Sequence, residues 1–393
     1  MTRNVYAVLA TQFLTAFADN AVLFTAITMV MQRAAVHPWY VPALQASFLV
    51  AYVLLAPWAG RFADARPKPR VLVGANVIKA AGTIMLLLHI EPLLAYAVIG
   101  LGAAAYSPAK YGILPELVDP QALVKANGWV EGSTILAILS GTVVGAAVAE
   151  YSIPVALYFV IALYVTSSLI ALAIRHFFIA GKPDDNALKK FYQQMLGLLQ
   201  TPRARYSMLG VSMFWAAATV LRVLLVAWAP VVLLLHSTTD IAMLTTFVAF
   251  GIAVGSVLVP RLIPLAYLRR TRLAAYGMGL VVLLLAMVDT LWVARGVLFL
   301  AGVCGGLFVV PINATLQEIG HQTIGSGGVV AIQNFFENLA MLLASGLYAL
   351  AAGNGTGPVT AMVWLGCLVL LATWLLSWHL PPDTGSLDGP APD

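Results

Sequence analysis

Twelve long apolar runs divide this chain of 393 residues, and they constrain its fold more than any other feature. A helix needs about 20 mostly apolar residues to cross a bilayer. The runs fall at residues 5–31, 40–61, 71–89, 92–107, 124–149, 154–176, 206–234, 241–263, 272–290, 293–313, 326–352 and 357–380. Only 9% of the residues are charged, against about a quarter in soluble domains. We therefore predict an all-α polytopic membrane protein with twelve transmembrane helices.

The distribution of Lys and Arg predicts the orientation of these helices. If the N-terminus is inside, all but four of the 21 basic residues lie on the cytoplasmic side; the exceptions are Arg33, Lys79, Arg222 and Arg295. By the positive-inside rule, both termini should be cytoplasmic. The net charge of +5 does not call for a nucleic-acid partner, because anionic inner-leaflet lipid attracts such loops.

A hydrophilic interval between the sixth and seventh runs predicts the domain organisation. The expected parts are an N-terminal six-helix bundle, a cytoplasmic linker, a C-terminal six-helix bundle and a disordered cytoplasmic tail, at residues 1–176, 177–205, 206–380 and 381–393.

The two halves resemble each other, which indicates a duplication. "NGWVEGS" aligns with "QNFFENL" and places Glu131 opposite Glu337, while Tyr6 falls on Tyr206. Duplicated bundles are typical of alternating-access transporters, whose substrate site lies near the membrane midplane between the repeats. Chance similarity among apolar helices is the alternative explanation.

The segment "GRFADARPKPR" after the second run resembles the loop signature of the major facilitator superfamily. It contains Gly60, Asp64, Arg66 and Arg70. The resemblance implies that Asp64 helps to hold the cytoplasmic side shut. The family usually has a basic residue directly after the aspartate, whereas this chain has Ala65. A simple basic loop is the alternative.

Further segments are similar to the bacterial lysophospholipid transporter family of this superfamily. They include "AFADNAVLF", "VGANVIKAAG", "GAAAYSPAKYGILPEL", "FWAAATVLRVLLV" and "AIQNFFENLAMLL". The resemblance implies that lysophospholipid moves from the outer to the inner leaflet of the bacterial inner membrane, where an acyltransferase re-acylates it. We expect no fused acyltransferase, no metal and no cofactor, because the spans occupy the chain and the acyltransferase His-x-x-x-x-Asp pattern is absent.

Polar residues inside the apolar runs are the candidate site, since ionisable groups within a membrane are functional by default. The set for substrate binding or gating is Asp19, Asn20, Lys79, Lys110, Lys125, Glu131, Arg222, Gln333, Glu337 and Asn338. The four cations among them are candidates to meet a phosphate. Alternatively, Lys110 and Lys125 are ordinary interfacial residues, and Lys79 extends to the cytoplasmic surface as long basic side chains often do.

Asp19 and Arg222 lie at matching depths in runs that are counterparts of each other. At about 1.5 Å per residue, Asp19 lies roughly 21 Å along its helix and Arg222 roughly 24 Å along its own. We expect Asp19, oriented by Asn20, to pair with Arg222 and close the periplasmic side until an anionic headgroup competes for Arg222. The alternative is a pair that only stabilises packing.

Two other functional classes compete with lipid transport. A proton-coupled exporter of drugs or other small amphiphiles would use Asp19 as its proton carrier. A membrane-embedded acyltransferase or lipase is disfavoured, because the sequence offers no nucleophile with a base, no paired catalytic carboxylates and no metal cluster.

Overall fold

The computed structural model describes residues 3–32, 37–114, 117–118, 120–174, 187–263, 265–322 and 326–380, and these are almost entirely helical. The helices are α1 (Arg3–Met31), α2 (Tyr40–Asp64), α3 (Lys68–Leu87), α4 (Pro92–Ile113), α5 (Pro120–Tyr151), α6 (Ile153–Leu172), α7 (Ala187–Gln200), α8 (Pro202–Val232), α9 (Thr238–Leu262), α10 (Thr271–Leu285), α11 (Leu291–Gln322), α12 (Ser326–Gly353) and α13 (Pro358–Ser377). A short 3₁₀ helix, Leu265–Arg270, precedes α10.

Each of the twelve predicted spans coincides with one helix. Ten helices within the described residues are long and apolar enough to cross a membrane. The other two predicted spans correspond to α2, whose apolar part is Tyr40–Ala56, and to α10, which has 15 residues. The prediction of an all-α membrane protein is thus confirmed.

Proline residues account for several helix starts. A proline occupies the first turn of α3, α4, α6, α8 and α13. Its missing N–H costs nothing there, because the first amides of a helix have no partner within the helix. Two further prolines, Pro108 and Pro311, lie inside α4 and α11.

The predicted linker contains a helix that the sequence pattern did not indicate. Helix α7 is short and carries its apolar residues on one side, so that Leu198 is buried and the Phe191 ring contacts the Phe335 ring of α12 at 5.9 Å between centroids. Packing of one apolar face, more than intrinsic propensity, stabilises a helix of this length.

The chain divides into two compact units. The first comprises Met1–Leu188 with Ser237–Ala242, and the second comprises Lys189–His236 with Met243–Asp393. In the first unit α1 packs on α5 and α6, α3 packs on α4 and α6, and α2 packs on α4. In the second unit α8 packs on α12 and α13, and α10 packs on α11 and α13. The helix pairing of one unit therefore repeats in the other.

Glycines allow the same close helix contact in both units. A methyl group at Gly100 of α4 would overlap the Phe48 carbonyl oxygen of α2, and one at Gly302 of α11 would overlap the Val248 carbonyl oxygen of α9. Aromatic pairs lie beside these contacts, Phe48 with Tyr96 in the first unit and Phe250 with Phe299 in the second. The duplication visible in sequence extends to the packing.

Candidate functional site

A charged pair lies among three helices of the first unit. The Lys79 ammonium nitrogen of α3 is 2.8 Å from Asp19 Oδ2 of α1. The Tyr164 hydroxyl of α6 donates a hydrogen bond of 2.8 Å to the other carboxylate oxygen, Oδ1. Both oxygens of Asp19 thus have a donor. A buried charge is tolerated only when it is paired and hydrogen-bonded in this way.

A second polar layer lies one helical turn away on the same three helices. The Thr15 and Ser167 hydroxyl oxygens are 2.7 Å apart. The Asn76 amide nitrogen lies 3.2 Å from the Thr15 hydroxyl and 3.1 Å from the Ser167 hydroxyl. Ser167 also donates to the Thr11 carbonyl oxygen at 3.0 Å. This neutral layer fixes the rotation of α1, α3 and α6 about their axes.

Lys79 is enclosed, whereas Asp19 is partly open. The Lys79 side chain is 1% exposed and that of Asp19 is 23% exposed. The ammonium lies 4.6 Å from the centre of the Tyr106 ring, a favourable cation–π distance. Gly102 of α4 makes room for the lysine stem, because a methyl group there would lie 2.7 Å from Lys79 Cγ. The ammonium of Lys79 is thus enclosed by protein, whereas part of the Asp19 side chain remains exposed.

One expectation about this pair needs correction. The alternative in which Lys79 extends to the cytoplasmic surface is wrong, because the side chain is buried against Asp19. Lys79 pairs with Asp19, a partner that we did not expect, and the pairing of Asp19 with Arg222 stays a prediction. The Asn20 amide donates to the Ala16 carbonyl oxygen of its own helix, and its orientation of Asp19 likewise stays a prediction.

Sequence reasoning missed Asn76, Tyr164 and Ser167, although a signal was available. Lys79 follows Asn76 by one turn of α3, and Ser167 follows Tyr164 by one turn of α6. Residues three or four apart share a helix face, so polar pairs at that spacing on apolar helices could have been sought together. Gln12, Thr15 and Asp19, which lie three or four residues apart on α1, make polar contacts to other helices of this unit.

Gln12 extends the polar stripe towards α5. Its amide nitrogen donates to the Thr134 hydroxyl at 3.0 Å. Its carbonyl oxygen, Oε1, is buried and has no hydrogen-bond partner among the described residues.

The second unit holds a hydrogen-bonded network between α11 and α12, which consists of side-chain amides and one acid, Glu337. The Gln333 amide nitrogen donates to Asn313 Oδ1 at 2.8 Å and to Glu337 Oε1 at 2.7 Å. Glu337 is buried, and Asn338 beside it donates to the Asn334 carbonyl oxygen at 2.6 Å. Gln333 and Glu337 thus bond to each other across one turn of α12.

Arg222 lies on α8 of the second unit and is half-buried. At three- or four-residue spacing before it on α8, Ser212 is buried and bonded to the Met208 carbonyl oxygen, Trp215 is exposed and Thr219 is half-buried. Exposure therefore follows no trend along this part of the helix.

Lysines at the end of α4 and the start of α3 are more buried than a simple surface loop requires. Lys110, in the last turn of α4, is 8% exposed, and Lys68 is 5% exposed. A methyl group at Gly112 would lie 2.6 Å from Lys68 Cε, so the Lys68 stem crosses α4 at that glycine.

Among the remaining predicted site residues, the structure describes the side chains of Arg66 and Arg70. The Arg66 guanidinium stacks on the Phe62 ring at 4.0 Å, and Arg70 is exposed. The remaining four belong to α2 and α5, and their side chains lie outside the described part of the structure: Gly60, Asp64, Lys125 and Glu131.

A helical membrane protein built from two similar units, with paired charges inside an apolar bundle, has the features of a membrane transporter. The family model described as Major Facilitator Superfamily matches residues 8–345. The fold is also that of solved transporters. A bacterial homologue of the human lysosomal transporter Spinster has a TM-score of 0.71 at 14% identity over all of both chains. The nucleoside transporter NupG has a TM-score of 0.70 at 12% identity, over 96% of this chain and 99% of NupG.

Much stronger sequence similarity links the chain to proteins named lysophospholipid transporter LplT. The protein from Photorhabdus laumondii is 41% identical over 96% of both chains. Those from Serratia proteamaculans and Shigella boydii are 40% and 41% identical over 89% and 96% of both chains. The chain belongs to the LplT family of the major facilitator superfamily.

Proposed function

We propose that this protein moves lysophospholipids from the outer to the inner leaflet of the bacterial inner membrane, where an acyltransferase re-acylates them. The observation that carries the proposal is 41% identity over 96% of the chain to a lysophospholipid transporter. The protein moves its substrate by alternating access without changing it chemically, and the acyltransferase is a separate functional partner.

The chemistry of a lysophospholipid favours access from the side, within the membrane. Bringing an acyl chain of about 16 carbons into water would cost roughly 12 kcal/mol, at about 0.8 kcal/mol per CH₂. The tail therefore stays in lipid or against apolar helices, and only the headgroup needs polar partners.

The partly open carboxylate of Asp19 is the proposed contact point for the headgroup in the first unit. Lys79 and Tyr164 hold it in one orientation, so it can interact with an arriving headgroup without rearranging. Lys79 is enclosed against Asp19, so Arg222, which is half-buried on α8, is the proposed group to meet the phosphate, with Lys110 in the last turn of α4 as a second candidate. A substrate that binds such groups in only one conformation supplies the free-energy difference that drives the switch.

Uptake of labelled lysophospholipid into proteoliposomes tests the proposal. We expect uptake by the wild-type protein that persists when an ionophore removes the proton gradient. Uptake that collapses with the ionophore would favour the proton-coupled exporter, and no uptake under either condition would contradict the proposed function.

Lys110→Ala tests the proposed phosphate contact, with Lys189→Ala as its matched control because Lys189 is exposed on α7. We expect Lys110→Ala to weaken lysophospholipid binding and Lys189→Ala to leave it unchanged. Equal effects of the two variants would assign Lys110 to packing.

The proposed orientation places both termini in the cytoplasm and can be tested separately. In a cysteine-free background, a cysteine at His37 should react with an impermeant thiol reagent added outside intact cells, and one at Lys189 should not. Both residues are exposed in the structure. The reverse pattern would invert the topology.

A further inference from the structure

An arginine near the start of α11 lies over two aromatic rings. The central carbon of the Arg295 guanidinium, Cζ, is 4.7 Å from the centre of the Trp292 ring on the same helix. It is 5.5 Å from the centre of the Phe247 ring on α9. Both distances suit a cation–π interaction. Arg295 is half-buried, so the rings support the cation while part of its side chain remains exposed.

The guanidinium has no anionic partner in the described part of the chain. No ion pair among those residues includes Arg295, and its buried Nε has no hydrogen-bond partner there. A guanidinium carries five N–H donors in one plane. When its face lies against aromatic rings, the edge with these donors stays available, and that edge matches the oxygens of a phosphate or carboxylate.

The side chains around Arg295 are apolar and exposed, as are those that contact acyl chains in a bilayer. Trp292 and Val293 on α11 are 77% and 52% exposed, and Phe250, one turn from Phe247 on α9, is 60% exposed. Tryptophan is enriched at the level of the lipid headgroups. A charge at the edge of a membrane span is costly unless it is paired, and the anions at headgroup level are lipid phosphates.

The first unit lacks this cluster, although its helices pack in the same way. Gly302 of α11 and Gly100 of α4 make equivalent contacts, and Leu93 precedes Gly100 by as many residues as Arg295 precedes Gly302. The positions equivalent to the two rings hold Ile90 and Ser47. The shared fold therefore does not require the cation or the rings, which favours a role in binding.

We propose that Arg295, Trp292 and Phe247 form a binding site for the phosphate of a membrane phospholipid, whose acyl chains lie along the exposed apolar residues of α9 and α11. The start of α11 is at the outer leaflet in the orientation given under the proposed function, and only this choice of leaflet rests on that proposal. The site would hold phospholipid in the leaflet from which the proposed substrate starts.

Tryptophan quenching tests the site in protein purified in a nonionic detergent. The probe is phosphatidylglycerol with brominated acyl chains, which quenches indole fluorescence on contact. The contribution of Trp292 is the difference between each protein and the same protein carrying Trp292→Phe. We expect Arg295→Met to raise the dissociation constant read from Trp292 about tenfold, as for the loss of one charge-assisted pair.

The matched control is Arg272→Met, which removes an exposed arginine at the start of α10 and should leave the dissociation constant unchanged. Arg295→Lys keeps the charge but not the planar set of donors, so it should bind the lipid more weakly than the wild type. Equal dissociation constants in Arg295→Met and the wild type would overturn the site. Wild-type affinity in Arg295→Lys would also overturn it, because any interfacial cation would then suffice.

Two further probes identify the ligand. Brominated diacylglycerol lacks the phosphate and should quench Trp292 far more weakly than phosphatidylglycerol; equal quenching would show that acyl chains alone bind there. Inorganic phosphate at the concentration of the lipid should not displace it, and displacement would make the ligand a free anion. These measurements need no transport. Failure of the wild type to take up lysophospholipid would contradict the proposed function, and the quenching result would still decide the lipid site.

Discussion

The two units share one helix arrangement but differ in what lies between the helices. In the first, the contacts of α1 with α3 and α6 carry the Asp19–Lys79 ion pair and the Tyr164 hydrogen bond. In the second, the equivalent contacts of α8 carry a Tyr206–Thr271 hydroxyl pair at 2.7 Å and a Thr373 hydroxyl 3.8 Å from the Met213 sulfur. Equivalent helix contacts are thus charged in one unit and neutral in the other.

This difference separates the scaffold from the site. The close contacts at Gly100 and Gly302 occur in both units, and they need only a residue without a side chain. Small residues let membrane helices pack closely whatever polar groups lie nearby. The polar content of the two units can therefore differ while the packing of their helices stays the same.

The largest expected effect comes from breaking the charged pair. Lys79→Met leaves the Asp19 carboxylate with only Tyr164, and removing one partner of a buried pair typically costs about 3–5 kcal/mol. Because Asp19 is 23% exposed, we expect a loss at the lower end, measured by thermal unfolding in detergent. The double variant Lys79→Met with Asp19→Asn should recover most of the stability but not lysophospholipid uptake. Thr373→Val, at the equivalent but neutral contact of the second unit, should change stability little, and a large loss there would erase the contrast.

The shared packing predicts equal effects in both units. Gly100→Ala and Gly302→Ala each force a methyl group onto a carbonyl oxygen of the neighbouring helix, and overpacking typically costs about 1–3 kcal/mol. The two variants should lower the unfolding temperature by similar amounts. Gly346→Ala, where the structure shows open space around the new methyl group, is the control. A large effect in only one unit would mean that the scaffold is not truly repeated.

The polar network of the second unit should matter less than the charged pair. Gln333→Leu removes the bonds to Asn313 and Glu337, and a lost bond to a charged group costs about 1–3 kcal/mol. We expect a stability loss of about 1–2 kcal/mol, smaller than that of Lys79→Met under the same conditions. A larger loss would make the second unit the main polar core.

The smallest effect concerns two aligned tyrosines. Tyr206→Phe removes a buried hydroxyl bonded to Thr271, which should cost about 1 kcal/mol. Tyr6 is 60% exposed, so Tyr6→Phe should be close to neutral. Equal losses would show that Tyr6 has a structural role that its exposure does not suggest.

The sequence by itself determined the helices of the twelve apolar runs, the membrane class and the family. Each apolar run was long enough to require a helix, because unpaired backbone groups are too costly in hydrocarbon. Polar residues of the candidate site were also visible in the sequence, since Asp19, Lys79 and Glu337 interrupt runs that are otherwise apolar.

Only the tertiary structure decided which of these residues meet. Asp19 and Lys79 are 60 residues apart, and Tyr164 is 145 residues from Asp19. Depth along a helix was readable from residue count and led to Arg222 as the expected partner. Depth does not specify how a helix is rotated about its own axis, however. Packing and the hydrogen bonds among Thr15, Asn76 and Ser167 set the rotation of α1 against α3 and α6. That rotation turns Asp19 towards Lys79.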